Sequence, residues 1–561
     1  MSAVKFNEYF QRLQIVQQAF DDAGSKEKKE VLRKISSCPL PLKKSLRNYY
    51  DLLLFFMGYP EEKEIYLLAQ QELQRVTAFL RESPEPAKNT NLKNTGLPFT
   101  TIEASFGFDL VCWLVERFPL EISLLSIDTS AEQCDEIFSM LLPEAIRNER
   151  DNRKILSTSQ QLLKFAGKNK QQHLPWLINL FRNAVLTSEV KTYLFSELIV
   201  YIRFRIGEDF FMMLDESVCQ GKIFYHEEGL FKKPELLKIL SHKKLNEFKL
   251  SITAKEELVE RSKATLFTLL RETDPVTKAW IPATELFDLG RGLYAGLFTL
   301  DHASRLSIES YIGYLAYKNS VPITYGGAWI TGNHARIGVN IFPWFRGGES
   351  ALTFLQIIRL YHQSFGVLSF SVEPYQIGKN NSDGIKSGAF WFYYKLGFRP
   401  EQPILKKIAA DETLKMAKQK GYRSSSKTLQ QLADSIMVLR INQNTDSLLD
   451  SSSISLTMIS FVKEKFNGDY AKAEQQCSKR LMMLLKISKK DIADEGVRNG
   501  FRKLSIFLGA ITQFELTTAR QKSVIRKLLL AKGMSHERDF IETWIGSDLW
   551  NKLVINAISE Q

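Results

Sequence analysis

At 561 residues, 44% hydrophobic and 25% charged, the chain is too long for a single hydrophobic core and too apolar for a disordered segment, so three or four domains or subdomains are expected. No apolar run approaches the ~20 residues needed to cross a bilayer, and the charged start MSAVKFNEYFQRLQ reads as an amphipathic helix rather than a secretion signal. A membrane span is not expected, and the cytoplasm is the expected compartment. The net charge of +12 includes 26 Lys/Arg against 18 Asp/Glu from Glu401 onward. That excess admits nucleic acid or tRNA as a partner of the C-terminal region, although its interleaving with apolar residues at helical spacing also fits a solvated helix face. Five cysteines and seven histidines are scattered, without CxxC or HExxH spacing, so buried reduced thiols are expected and a structural metal is not.

Along the chain, residues 1–90 carry apolar residues at three- and four-residue intervals, with Pro60 separating two segments, and form a helical region. The Pro- and Asn-rich stretch 83–100 is a boundary or long loop. Helical spacing resumes in SFGFDLVCWLVERF, LPWLINLFRNAVL and VKTYLFSELIVYIRFRI, which define a second helical domain over 91–264. Over 265–405 the character changes. GRGLYAGLFTLD (290–301) reads as a strand, LSIESYIGYLAYKN (306–319) as a helix, and VPITYGGAWI and ARIGVNIFPWF as strands joined by a hairpin turn at TGNH. A helix (350–366), a strand (367–377), a polar loop (378–384) and a last helix (385–398) follow. Residues 406–561 return to helices as a basic helical domain, with a Ser/Asn/Asp linker at 442–453. Trp544 and Trp550 near its end are core residues in this reading. The fold class is α+β: a central mixed sheet, with a strand–helix–strand crossover, between large all-α N- and C-terminal regions.

One stretch carries candidate chemistry. In FPWFRGGESALTF a strand ends, Arg346 precedes Gly347 and Gly348, and a helix opens at Ser350. Helix N-terminal N–H groups have no intrahelical partner and carry the positive end of the dipole, so this loop is either an anion cradle or a tight turn into a helix. Gly326 and Gly327 in TYGGAW mark a bulge or a close backbone approach.

SGAFWFYYKLGFRP (387–400) resembles the signature helix of the GNAT acyl-CoA N-acyltransferase superfamily, an Ala followed by Leu-Tyr and then Glu-Lys-Leu-Gly-Phe. Ala389, Phe392, Tyr393, Lys395, Leu396, Gly397 and Phe398 fall at the matching places. The same stretch also reads as a plain core helix ended by Gly397 with Phe398 packing back. The resemblance is confined to residues 320–400, where strand, loop, helix, splayed strand and helix follow in the family's order. It implies a GNAT-like domain and acetyl-CoA or another acyl-CoA as donor. The pyrophosphate would be held by Arg346, Gly347, Gly348, Ser350 and Ala351, with Asn381 (or Asn380) before the last helix as a further cofactor contact.

The resemblance further implies Tyr393 as the general acid for the departing thiolate, and an amine acceptor that is a small molecule or a protein. Glu349 stands where the family has a glycine, and its carboxylate would repel a pyrophosphate unless it turns to pair with Arg346 or Lys386. An amine nucleophile also needs a base, for which Glu349, Glu373 and His362 are the candidates. Leucyl/phenylalanyl transferases and peptide-bridge-building aminoacyl transferases share this fold. Two alternatives therefore accompany an acyl-CoA N-acyltransferase: a non-catalytic binding or scaffold protein in which Glu349 fills the anion site, and an aminoacyl-tRNA-dependent transferase.

Overall fold

A computed structural model of the chain describes residues 3–83, 91–145, 147, 163, 166–207, 210, 222–442, 451–510, 518–548, 550–552 and 554. Residues 84–90 and 443–450 of the two expected connecting stretches, and Cys219, lie outside that set. The described chain is α+β, with helices at both ends and a central sheet, and no described helix is long and apolar enough to cross a membrane. It divides into two compact units: residues 1–229 with 260–273 and 319–322, and residues 230–259 with 274–318 and 323–561.

The first unit opens with four helices, Ala3–Val16, Asp22–Ile35, Lys44–Gly58 and Lys63–Glu82, the last two separated at Pro60 as expected. It also holds a three-stranded antiparallel sheet in the stretch expected to be wholly helical. Strands β1 (Thr101–Ser105), β2 (Ile122–Ile127) and β3 (Val200–Arg205) are ordered β1-β3-β2. VKTYLFSELIVYIRFRI is therefore a helix only to Leu198. Ile199 then takes a left-handed conformation (φ 49°), after which Val200, Ile202 and Phe204 are buried on alternate positions while Arg203 and Arg205 face out. The period-2 burial was hidden because the preceding helix ends on apolar residues without a Gly or Pro break. Helices Phe108–Arg117, Ala131–Leu141, His173–Asn183 and Ser188–Leu198 share one core with this sheet through Val111, Phe138, Leu177, Phe195 and Phe204.

The second unit is built on a nine-stranded sheet. Its strands are β4 (Asn246–Glu247), β5 (Glu285–Gly290), β6 (Leu293–Thr299), β7 (Ser310–Lys318), β8 (Val321–Thr331), β9 (His334–Ile341), β10 (Ser369–Val372), β11 (Arg399–Pro400) and β12 (Met437–Arg440). They are ordered β11-β12-β10-β9-β8-β7-β6-β5-β4. The stretch expected to be a helix at 306–319 is β7. Ile312 through Lys318 are buried without interruption, and a strand covered on both faces loses the polar alternation that betrays its period. The expected TGNH hairpin is present, with Thr331 paired to His334 across Gly332 (φ 57°) and Asn333.

The β9–helix–β10 crossover is also present. Helix Ser350–Phe365 ends at Gly366 in the left-handed region (φ 67°), and β10 then runs parallel to β9. β10 is shorter than expected, because Pro374 opens a helical turn, Pro374–Ile377. The single helix expected over 385–398 is two pieces, Ser382–Ser387 and Ala389–Lys395, broken where Gly388 adopts φ 68°. The helix expected around SKTLQQLADSIMVL stops at Leu432. Met437–Arg440 joins the sheet as β12 between β10 and β11, so the basic C-terminal region supplies a strand to the central sheet. The remaining helices form a separate core in which Trp544 and Trp550 meet edge to face at 5.3 Å, both buried as expected.

Candidate active site

β9 and β10 begin as hydrogen-bonded parallel neighbours, pairing Ser369 with His334, Phe370 with Ala335 and Ser371 with Arg336. Pairing stops there. β9 continues to Ile341 alongside β8, whereas β10 ends at Val372 and turns away at Pro374. The two strands are thus split from Ile337 onward, and the glycine loop that carries Arg346 leaves β9 at the far end of the split.

That loop opens with a 3-10 turn, Pro343–Phe345, whose buried Phe345 anchors it, and the Gly348 N–H donates to the Phe345 carbonyl at 2.9 Å. Arg346 is exposed, and Gly347, Gly348, Ser350 and Ala351 are half-buried, so the rim faces solvent. The Ser350 hydroxyl donates back to the Arg346 carbonyl at 3.2 Å, closing the turn. The helix Ser350–Phe365 has no side-chain N-cap. Its first N–H groups, at Ser350, Ala351 and Leu352, have no intrahelical acceptor.

Glu349, the residue at the cap position, is 98% buried and turns away from these N–H groups. Its carboxylate accepts from the Lys318 ammonium at 2.9 Å, the Arg291 guanidinium at 2.7 Å and the Phe231 backbone N–H at 2.9 Å. The expected partners, Arg346 and Lys386, are instead exposed. Lys318 and Arg291 replace them because β7 and the β5–β6 turn pass beneath the loop, where a buried carboxylate requires compensating charge. Burial pulls the Lys318 ammonium down to about 8, against the opposing pull of Glu349.

Tyr393 lies at the other side of the split. Helix Ala389–Lys395 docks on the start of helix Ser350–Phe365, with Tyr393 edge-on to Phe354 at 5.5 Å and Phe398 stacked on Phe354 at 6.0 Å. Gly397 (φ 103°) ends the helix and lets the Phe398 N–H return to the Tyr393 carbonyl at 3.2 Å. Burial drives the Tyr393 phenol well above its ordinary pKa, so it keeps its proton. That hydroxyl donates to Gln376 Oε1 at 3.2 Å.

The remaining candidates are spread more widely. Glu373 caps the turn that leaves β10 and is half-exposed, with Arg336 at 3.7 Å as a loose counter-ion. It therefore stands at the split. His362 does not: it is about 18 Å along the helix from Ser350, where its Nδ1 pairs with the Val367 carbonyl at 2.7 Å. Asn381 caps the short helix, accepting from the Gly384 N–H at 3.1 Å and donating to the Tyr375 carbonyl at 3.0 Å, so its amide is committed to the loop.

Gly326 and Gly327 mark a close approach rather than a bulge, for the β8/β9 register runs unbroken through them. A Cβ on Gly326 would strike the Gly338 carbonyl oxygen and lie 2.7 Å from the Tyr314 hydroxyl, which itself donates to Gly338 O at 3.1 Å. Sequence reasoning missed Gln376, Gly338, Tyr314, Lys318 and Arg291. None stands in a motif, and the only available signal was the glycine frequency of β8 and β9. No family model, no curated protein and no solved structure matches this chain. 

Proposed function

We propose that the second unit is a GNAT-like, acyl-CoA-dependent N-acyltransferase that passes an acyl group from acetyl-CoA or another acyl-CoA to an amine. One observation carries the reading: the parallel β9/β10 pair splits at Ile337, with an uncapped helix start on one side and the Tyr393 hydroxyl on the other. In this reading the pantetheine arm lies in the split. Arg346 and the N–H groups of Ser350 and Ala351 meet the pyrophosphate, and the loop glycines allow close approach. The withdrawal of Glu349 onto Lys318 and Arg291 supports an open cradle over a scaffold in which the carboxylate fills the anion site. Tyr393, which keeps its proton, suits a group that protonates the departing sulfur. Glu373 is the base candidate nearest the split.

The test is calorimetric titration of the full chain with acetyl-CoA and free coenzyme A, beside Arg346→Glu. Saturable binding is expected, weakened at least about tenfold when the loop charge is reversed. Absence of binding to both ligands would remove the reading. A Glu349→Gly variant separates the scaffold alternative, which requires gained coenzyme A affinity, from the transferase, which requires none.

A further inference from the structure

The split between β9 and β10 contains one amide whose orientation is set by its surroundings. Gln376 projects from the turn Pro374–Ile377 and is half-buried. The Tyr393 hydroxyl donates to its Oε1 at 3.2 Å, which leaves Nε2 as the free end of the amide. An amide with one end fixed presents the other end in a fixed direction. Nε2 faces Gly338, on the part of β9 that has parted from β10, where an added Cβ would lie 3.0 Å from it. The Gly338 carbonyl already accepts from Tyr314 at 3.1 Å. Among the described residues Nε2 has no acceptor, and the other bond of Gln376 is its backbone N–H to the Glu373 carbonyl at 2.9 Å. A pre-oriented N–H pair at the mouth of a strand split is suited to a carbonyl oxygen that gains charge during reaction.

We propose that Gln376 Nε2 donates to the carbonyl oxygen of the acyl thioester, and that Tyr393 positions this amide until the C–S bond breaks and the phenol proton passes to the sulfur. The proposal rests on the transferase reading above. In the transfer, the amine nitrogen bonds to the thioester carbon and the C–S bond breaks. The proton shed by the amine passes, in net, to the sulfur. Between these events the carbonyl oxygen carries the negative charge of the tetrahedral intermediate, and it is this oxygen that Nε2 contacts. Glycine at 338 leaves the acyl carbonyl room beside the amide.

The experiment compares acetyl-CoA with S-ethyl-CoA, a thioether differing only by CH2 in place of C=O, by calorimetry on the full chain. The wild-type protein is expected to bind acetyl-CoA about tenfold more tightly, the worth of one good hydrogen bond. Gln376→Ala should bring the ratio close to one while retaining S-ethyl-CoA affinity, which also reports that the variant is folded. Tyr393→Phe, which frees the amide to turn, should give an intermediate ratio. An unchanged ratio in Gln376→Ala, or equal binding of both ligands by the wild type, overturns the assignment and leaves the transferase reading standing. Failure of the wild type to bind either ligand overturns both.

Discussion

The Lys318 ammonium meets the Glu349 carboxylate at 2.9 Å, with each side chain only 2% exposed. A strand end and a helix start are thereby joined beneath the glycine loop, with Arg291 completing the charge balance at 2.7 Å. Lys318→Met would leave Glu349 buried with one cation in place of two. The expected loss is about 3 kcal/mol, read from urea denaturation midpoints. Replacing both partners, Lys318→Met with Glu349→Met, should recover most of it, because the two fully buried charges are removed together while Arg291, 33% exposed, stays in reach of water. A single variant as stable as wild type would show that the pair is not needed to hold the loop.

His334 sets an acid limit on the second unit. Its Nδ1 and Nε2 lie 2.8 and 2.9 Å from the Ser369 and Ser371 hydroxyls, across the paired part of β9 and β10. Burial first, then Arg336 and Arg440, lower its pKa to about 4, against the small opposing pull of Glu401. Between pH 6.5 and 4 the unfolded chain binds a proton that the folded chain refuses. Stability is therefore fully present above 6.5 and falls with pH, by about 3 kcal/mol once pH reaches 4. In His334→Gln the same acid titration of stability should be flatter by that amount. Parallel curves for the two proteins would refute the assignment.

Two glycines one residue out of register on neighbouring strands, Gly326 of β8 and Gly338 of β9, should respond differently to the same methyl group. In Gly326→Ala the new Cβ meets the Gly338 carbonyl, which is backbone held in the ladder, so a loss of about 2 to 3 kcal/mol is expected. In Gly338→Ala it meets the end of the Gln376 side chain, which can move, and the loss should stay below about 1 kcal/mol. Thermal melting of the two variants decides it, and equal losses would contradict the packing described.

In the first unit, Ile199 is a β-branched residue at φ 49°, 41% exposed, between a helix and β3. Left-handed backbone strains such a residue by roughly 1–2 kcal/mol, and a glycine there trades the strain for some unfolded-state entropy. Ile199→Gly should raise stability by about 0.5 to 1 kcal/mol. A destabilised variant would mean that the side chain contributes packing that outweighs the strain.

Parts of this arrangement were legible in advance. The hairpin at Gly332-Asn333, the helix Ser350–Phe365 with Gly366 at its end, the parallel return into β10 and the stop at Gly397 all follow from turn chemistry and apolar spacing within a few residues. Strands β3, β7 and β12 were not legible. β7 is apolar on both faces, β3 leaves its helix in the unbroken apolar run Leu198–Ile202, and β12 follows its helix after only Ala433, Asp434, Ser435 and Ile436 with no Gly or Pro to mark the break, so periodicity cannot locate the change.

By itself, then, the sequence determined the α+β class, the helices at both ends, the crossover and the place of the glycine loop, because each depends on residues close together in the chain. Only the tertiary structure decided that Glu349 pairs with Lys318 and Arg291, 31 and 58 residues away. It likewise decided that Tyr393 reaches Gln376, 17 residues away across a turn and two short helices, while His362 lies at the far end of its helix. The physical reason is that burial and charge compensation are settled where distant segments cross, and no local pattern records which segments those are.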